Sequence, residues 1–276
     1  MNLFRKNRTK NWIIKLFKIT DDKNAEQFDM ENCILSTIDS INQKTDLKAS
    51  DFDINYRNSR KTLSGFKKAL KNQKEIVYSF VGFDSNNTNT YFMISNPMLN
   101  YTEKPKNSKI DICIQILNEY VENENIEEIA EKLIKSYDFE YGYITQLPPN
   151  FDSSSERKIK KGLFSTKIEV NKTDLTWTFH SVGILEGFIK SLYPINYLNK
   201  SHFADSITKE MILENGITEN ISKNITKWTL SLEEIDRLKN INQFRKISII
   251  TDDLGFLKTE KANVLHKKME LKKASC

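Results

Sequence analysis

The sequence predicts an α+β fold on a mixed or antiparallel sheet, and three observations predict it. Helical and extended periodicities interleave along the chain. Two adjacent extended runs, Ile76 to Phe83 and Thr90 to Ser95, flank the turn-forming cluster Asp84-Ser85-Asn86-Asn87 in the manner of a hairpin. The stretch from Asp174 to Phe203 is apolar on nearly every side, as a helix covered by other layers must be.

Taken in order, Trp12 to Ile19 reads as a strand and Asp21-Asp22-Lys23-Asn24 as the turn after it. Met30, Cys33, Ile34, Ile38 and Ile41 have the spacing of an amphipathic helix. Phe52, Ile54 and Tyr56 alternate as a short strand, and Leu63, Phe66 and Leu70 share one side of a brief helix. Ile110, Ile112, Ile114 and Ile116 alternate with Asp111, Cys113 and Gln115, the pattern of a half-buried strand. Asn125 and Glu128 have capping-box spacing at the start of a helix whose inner face is Ile126, Ile129, Ala130, Leu133, Ile134 and Tyr137. Tyr141 to Thr145 is a strand ended by Pro148-Pro149.

The polar, then basic, segment Asn150 to Gly162 is the best boundary, dividing an N-terminal lobe (1–150) from a C-terminal lobe (151–276) unless the two form one continuous domain. Lys167 to Val170 reads as a short strand before the central helix, which is expected near 175–193. Leu175, Phe179, Val182, Leu185, Ile189 and Leu192 form its stripe, and Pro194 stops it. Gly183 and Gly187 lie four apart, each costing about 1 kcal/mol against Ala in a helix, so close approach of another element is expected there. Glu186 and Lys190 form a favourable i,i+4 pair. Trp228-Thr229-Leu230 leads into a helix capped by Ser231 and Glu234, with Ile235 and Leu238 inward. Ile247 to Ile250 is a short buried strand, and Asp252 to Gly255 a turn.

Composition narrows the class. The 276 residues suffice for a sizeable core, and scarce Gly and Pro argue against long linkers. With 42 Lys and Arg against 37 Asp and Glu, the net charge of +5 does not by itself indicate nucleic-acid binding. Three cysteines without metal-ligand or CxxC spacing fit a reducing, cytoplasmic setting. The basic leader ahead of Trp12 to Phe17 lacks the apolar length of a signal peptide, and no segment approaches a membrane span.

Few residues invite chemistry. There is no phosphate loop, GxSxG elbow or HExxH helix, and the spacing of His180, His202 and His266 suggests no metal site, so no cofactor is expected. His180 and Glu186, inside the apolar stretch, form a possible buried polar site. Ser201, His202 and Asp205 are a local triplet without the convergence a catalytic triad needs, and Asp252-Asp253 reads as turn chemistry. Glu119, Glu122, Glu124, Glu127, Glu128 and Glu131 cluster near a helix start, as a solvated face favoured by the helix dipole or as a docking patch for a basic partner.

Tyr141-Gly142-Tyr143, Trp177, His180, Gly183, the run Leu192 to Leu198, His202 and Trp228-Thr229-Leu230 together resemble bacterial immunity proteins that neutralise polymorphic or type VI-secreted toxins. The resemblance spans roughly Ile126 to Ile241 and implies a non-enzymatic cytoplasmic protein whose partner is a cognate toxin. It carries no catalytic residues, and leaves the toxin and the oligomeric state open. Readings of other classes are a hydrolase or nuclease built on separated carboxylates with His180 or His202, and a nucleic-acid-associated protein.

Overall fold

A computed structural model describes residues 10–56, 62–84, 89–153, 156–162, 165–168, 182–185 and 187–239. The chain divides into two compact units, one of residues 1–138 and 144–169, the other of 139–143 and 170–276. The fold is α+β, and its paired strands run antiparallel.

The first unit begins with β1 (Asn11–Thr20), α1 (Asp22–Gln27), α2 (Met30–Thr45), β2 (Ala49–Ile54) and α3 (Leu63–Asn72). It continues with β3 (Tyr78–Phe83), β4 (Tyr91–Ser95), β5 (Ser108–Leu117) and α4 (Asn123–Tyr137). The sheet order is β1-β5-β4-β3-β2. The register carries Ile14, Ile114, Phe92, Val81 and Phe52 side by side across all five strands on one face. That face is buried under the helices: Phe66 of α3 stacks on Phe52 at 4.7 Å, and α4 packs against both β1 and α2. Burying an Ile or Phe fully is worth about 1.5–3 kcal/mol, and here the burial falls on the expected periodicities.

Three local expectations change. The residues read as a turn after β1 form α1, because Asp21 accepts the Asn24 N–H at 2.8 Å and so caps a helix. β5 is buried on both faces, Cys113 and Gln115 included, because β1 and β4 flank it and the chain after β6 returns over its second face. The segment 150–162, read as polar and then basic, forms strands: β7 (Phe151–Asp152), β8 (Arg157–Lys161) and β9 (Thr166–Ile168) make a small antiparallel sheet.

The first three residues of β6 (Tyr141–Leu147) belong to the second unit and its remainder to the first. The second unit then has α5 (Val182–Leu185), β10 (Ile195–Asn199), α6 (Ser206–Glu214), β11 (Ile217–Asn220), β12 (Ile225–Thr229) and α7 (Leu232–Lys239). The strand order is β11-β12-β10. The Ser231–Glu234 capping box is formed as expected: the Ser231 N–H donates to the Glu234 carboxylate at 2.7 Å and the Glu234 N–H to the Ser231 hydroxyl at 3.1 Å.

The expected helix over 175–193 is not continuous. Within its described part only Val182–Leu185 is helical, and residues 188–194 run through bends and an isolated bridge to β10. Gly187 is the cause. Its φ of +75° is left-handed, and an added Cβ would sit 2.3 Å from the Ser201 carbonyl oxygen. The close approach expected of the glycine pair therefore exists at Gly187, but it ends the helix there. Gly216 repeats the device, with φ +76° and the Thr229 carbonyl at the same 2.3 Å. The expected strand at 247–250 and the turn at 252–255 lie outside the described residues.

Gly187→Ala and Gly216→Ala should each destabilise the fold by about 2 kcal/mol or more, since both clash and conformational strain oppose them. Chemical denaturation of the purified variants checks this, and an unchanged midpoint would refute the close approach.

Candidate partner-binding surfaces

The first surface is the one expected from sequence. α4 starts at Asn123 with Glu122 as its N-cap, so the Asn125–Glu128 capping box is not formed. Glu128 is instead salt-bridged to Lys44 of α2, and Glu131 to Lys135 at 3.2 Å. Glu119, Glu122, Glu124 and Glu128 are exposed, whereas Glu127 and Glu131 are half-buried. The six carboxylates are thus an edge of four and a flank of two. The edge runs from the turn before α4 onto the helix, which is held by buried Ile126, Ile129, Leu133 and Ile134.

A second surface was missed. On the sheet face of the first unit away from the helices, the register sets out two cross-strand rows: Asp53, Phe80, Met93, Cys113 and Lys15, then Tyr78, Ser95, Asp111 and Phe17. One end of this face is closed. Tyr91 and Ser153 share a hydrogen bond at 2.7 Å, and the Cys113 thiol donates to the Ser153 carbonyl at 3.7 Å. Lys15 is buried here. Burial pulls its pKa down, but the charges of Cys113, Asp111, Glu156 and Asp152 outweigh that and leave it raised. Burial likewise pushes Cys113 up and Tyr91 to about 12.

The other end is open. Asn55 and Tyr56 follow β2 with left-handed backbones, φ 54° and 59°, a state that costs a non-glycine residue about 1–2 kcal/mol. The Asn55 side chain holds this turn: its Oδ1 accepts from the Val77 N–H at 2.8 Å and the Tyr78 N–H at 3.1 Å, and its Nδ2 donates to the Glu75 carbonyl at 2.9 Å. Tyr56 is thereby laid flat on Tyr78, ring centroids 4.1 Å apart and planes 8° from parallel, yet is 73% exposed. Tyr56 fitted the alternation of a strand, so nothing in the sequence marked it as surface.

The second unit holds a polar-aromatic core. His202 is fully buried; its Nε2–H donates to the Phe188 carbonyl at 3.2 Å, and its Nδ1 accepts the Asn199 N–H at 3.2 Å. The ring stacks on Tyr141 at 5.2 Å. Tyr143 stacks on Tyr193 at 3.9 Å, and Lys190 donates to the Tyr143 hydroxyl at 3.0 Å. The Ser201 hydroxyl reaches the Ile184 carbonyl at 2.8 Å, while Asp205 caps α6 through the Thr208 N–H at 2.9 Å. The Ser201-His202-Asp205 triplet is therefore structural. His180 and Glu186 lie outside the described residues.

Among the described residues, no group of three or more His, Cys, Asp and Glu is placed to hold a metal ion, and no helix is long and apolar enough to cross a membrane. No family model matches the sequence, and no curated protein sequence matches it. Among solved structures the chain is similar to a Pseudomonas aeruginosa T6SS protein, at 8% identity and a TM-score of 0.46 over 79% of this chain. It spans 65% of the length of that chain.

Burial holds the His202 pKa down at about 4, against an ordinary 6.5. The unfolded imidazole takes up a proton near 6.5 and the folded one only near 4, so stability present above that window is lost as pH falls through it. The loss should reach about 3 kcal/mol. Denaturation curves between pH 7 and 4 should show this slope, and His202→Gln should flatten it.

Proposed function

We propose that this protein is a non-enzymatic immunity protein, acting in the cytoplasm by binding and neutralising a cognate protein toxin. The observation that carries the reading is the acidic edge of Glu119, Glu122, Glu124 and Glu128, exposed before and along the start of a helix whose other side is locked into the core. An inhibitor needs a rigid scaffold that holds charge in place, because complementary fields speed encounter and select the partner. A basic toxin, such as a nuclease, would meet this edge.

The sequence resemblance to immunity proteins supports the same class and also limits where contact can occur. Of the residues that carry it, Tyr141, Tyr143, Tyr193, Tyr197, His202 and Trp228 are all buried in the second unit. They speak for a way of folding. Recognition has to come from other, exposed residues.

Co-expression should let a host survive the toxin, and the purified pair should form a stoichiometric complex that withstands salt. In that pair, replacing Glu119, Glu122 and Glu124 with Lys should slow association at low ionic strength by roughly tenfold or more. Unchanged kinetics would remove the acidic edge as the contact. Absence of any protein partner, with turnover of a substrate by the protein alone, would remove the function.

A further inference from the structure

The open end of the tyrosine-bearing sheet face has the chemistry of a receptor for one kind of side chain. The Tyr56 ring offers a flat, exposed surface backed by Tyr78. The acids whose charges act on its hydroxyl are Asp111 and Asp53. Among the described residues neither forms an ion pair: Asp111 accepts only the Ser95 hydroxyl at 2.6 Å, and the buried Oδ1 of Asp53 accepts no hydrogen bond. Among the described residues, the cations that the register places on this face are drawn inward. Lys15 and Lys109 are both buried, and Lys109 lies over the Phe17 ring at 5.1 Å. Both phenols stay protonated, with Tyr78 pushed to about 12 and Tyr56 raised, chiefly by burial. The negative charge at the patch is therefore that of its carboxylates.

We propose that Tyr56, Tyr78, Asp53 and Asp111 form a docking site for an arginine side chain of a protein partner, the guanidinium lying on the Tyr56 ring between the flanking acids. A guanidinium is planar, so it stacks on an aromatic face and still directs its N–H groups sideways to carboxylates. An ammonium has no such plane, and a phosphate backbone would be repelled. The strained backbone of Asn55 and Tyr56 fits this role: the turn holds an aromatic ring in the open where burial gives little return. The site lies apart from the acidic edge of α4 and does not depend on it.

The test is an NMR titration of the full chain with N-acetyl-arginine amide, using N-acetyl-citrulline amide as the uncharged analogue of the same shape. Saturable shifts at Tyr56, Tyr78 and Asp111 with the arginine compound alone are expected. Asp111→Asn should abolish saturation. Tyr56→Ala, at an exposed position that leaves the core intact, should weaken binding about two- to fivefold, and Tyr56→Phe should restore it. Equal shifts with citrulline, no saturation, or indifference to both Asp111→Asn and Tyr56→Ala would overturn the proposal. Saturable shifts confined to Glu119, Glu122, Glu124 and Glu128 would overturn it while leaving the toxin-binding reading intact.

Discussion

The first unit depends on the antiparallel ladder between β1 and β5, ten residue pairs long from Asn11↔Leu117 to Thr20↔Ser108. Both strands are almost wholly buried, so their backbone groups have no water to bond and must bond each other. This fixes the register, and the register fixes which residues share a face. Ile14, Leu16, Ile110, Ile112, Ile114 and Ile116 fall under the helices. Lys15, Cys113, Gln115 and Asp111 fall on the opposite side, where polar groups must be satisfied by neighbours such as Ser153, Tyr91 and Ser95. A slip of one residue would exchange the two sets and bury charge beneath α4. The aromatic-acid patch is a product of the same register.

In the second unit the governing constraint is close backbone approach. Two left-handed glycines let carbonyl oxygens come where a Cβ would stand, and His202 completes the junction by bonding Phe188 on one side and Asn199 on the other. A neutral imidazole suits this place because it can donate and accept at once without burying charge. Lys190 is accommodated differently: its ammonium lies 5.3 Å from the centre of the Tyr143 ring and bonds that ring's hydroxyl, so π-electrons and a phenol replace part of its hydration.

These constraints separate the residues that build the protein from those available for recognition. Among the described residues, Tyr141, Tyr143, Tyr193, Tyr197, His202 and Trp228 are spent on packing. Among the described residues, the exposed groups singled out above are carboxylates at the start of a locked helix and Tyr56, held out on Tyr78 by a strained turn. Both suit binding through preorganised surface more than through a cleft.

Where hydrophobic period and local capping set the outcome, the sequence by itself determined it. The spacing of Met30 to Ile41, the hairpin of β3 and β4, the strand at Trp12 to Ile19 and the Ser231–Glu234 cap all follow from contacts within a few residues. The α+β class follows from their interleaving. What only the tertiary structure decided lies where distant segments meet. Gly187 reads as a helix residue until the Ser201 carbonyl stands against it. Cys113 and Gln115 read as half-exposed until β4 and the β6–β8 return cover them, and Tyr56 reads as strand until Asn55 bonds the backbone at Glu75, Val77 and Tyr78. The acidic cluster was legible as composition, but which carboxylates face solvent depended on how α4 packs, which half-buries Glu127 and Glu131 and leaves Glu128 exposed beside Lys44 of α2. Local periodicity measures a residue's preference along its own element. Long-range hydrogen bonds and steric contacts then determine whether that preference holds, and they leave no periodic trace in the chain.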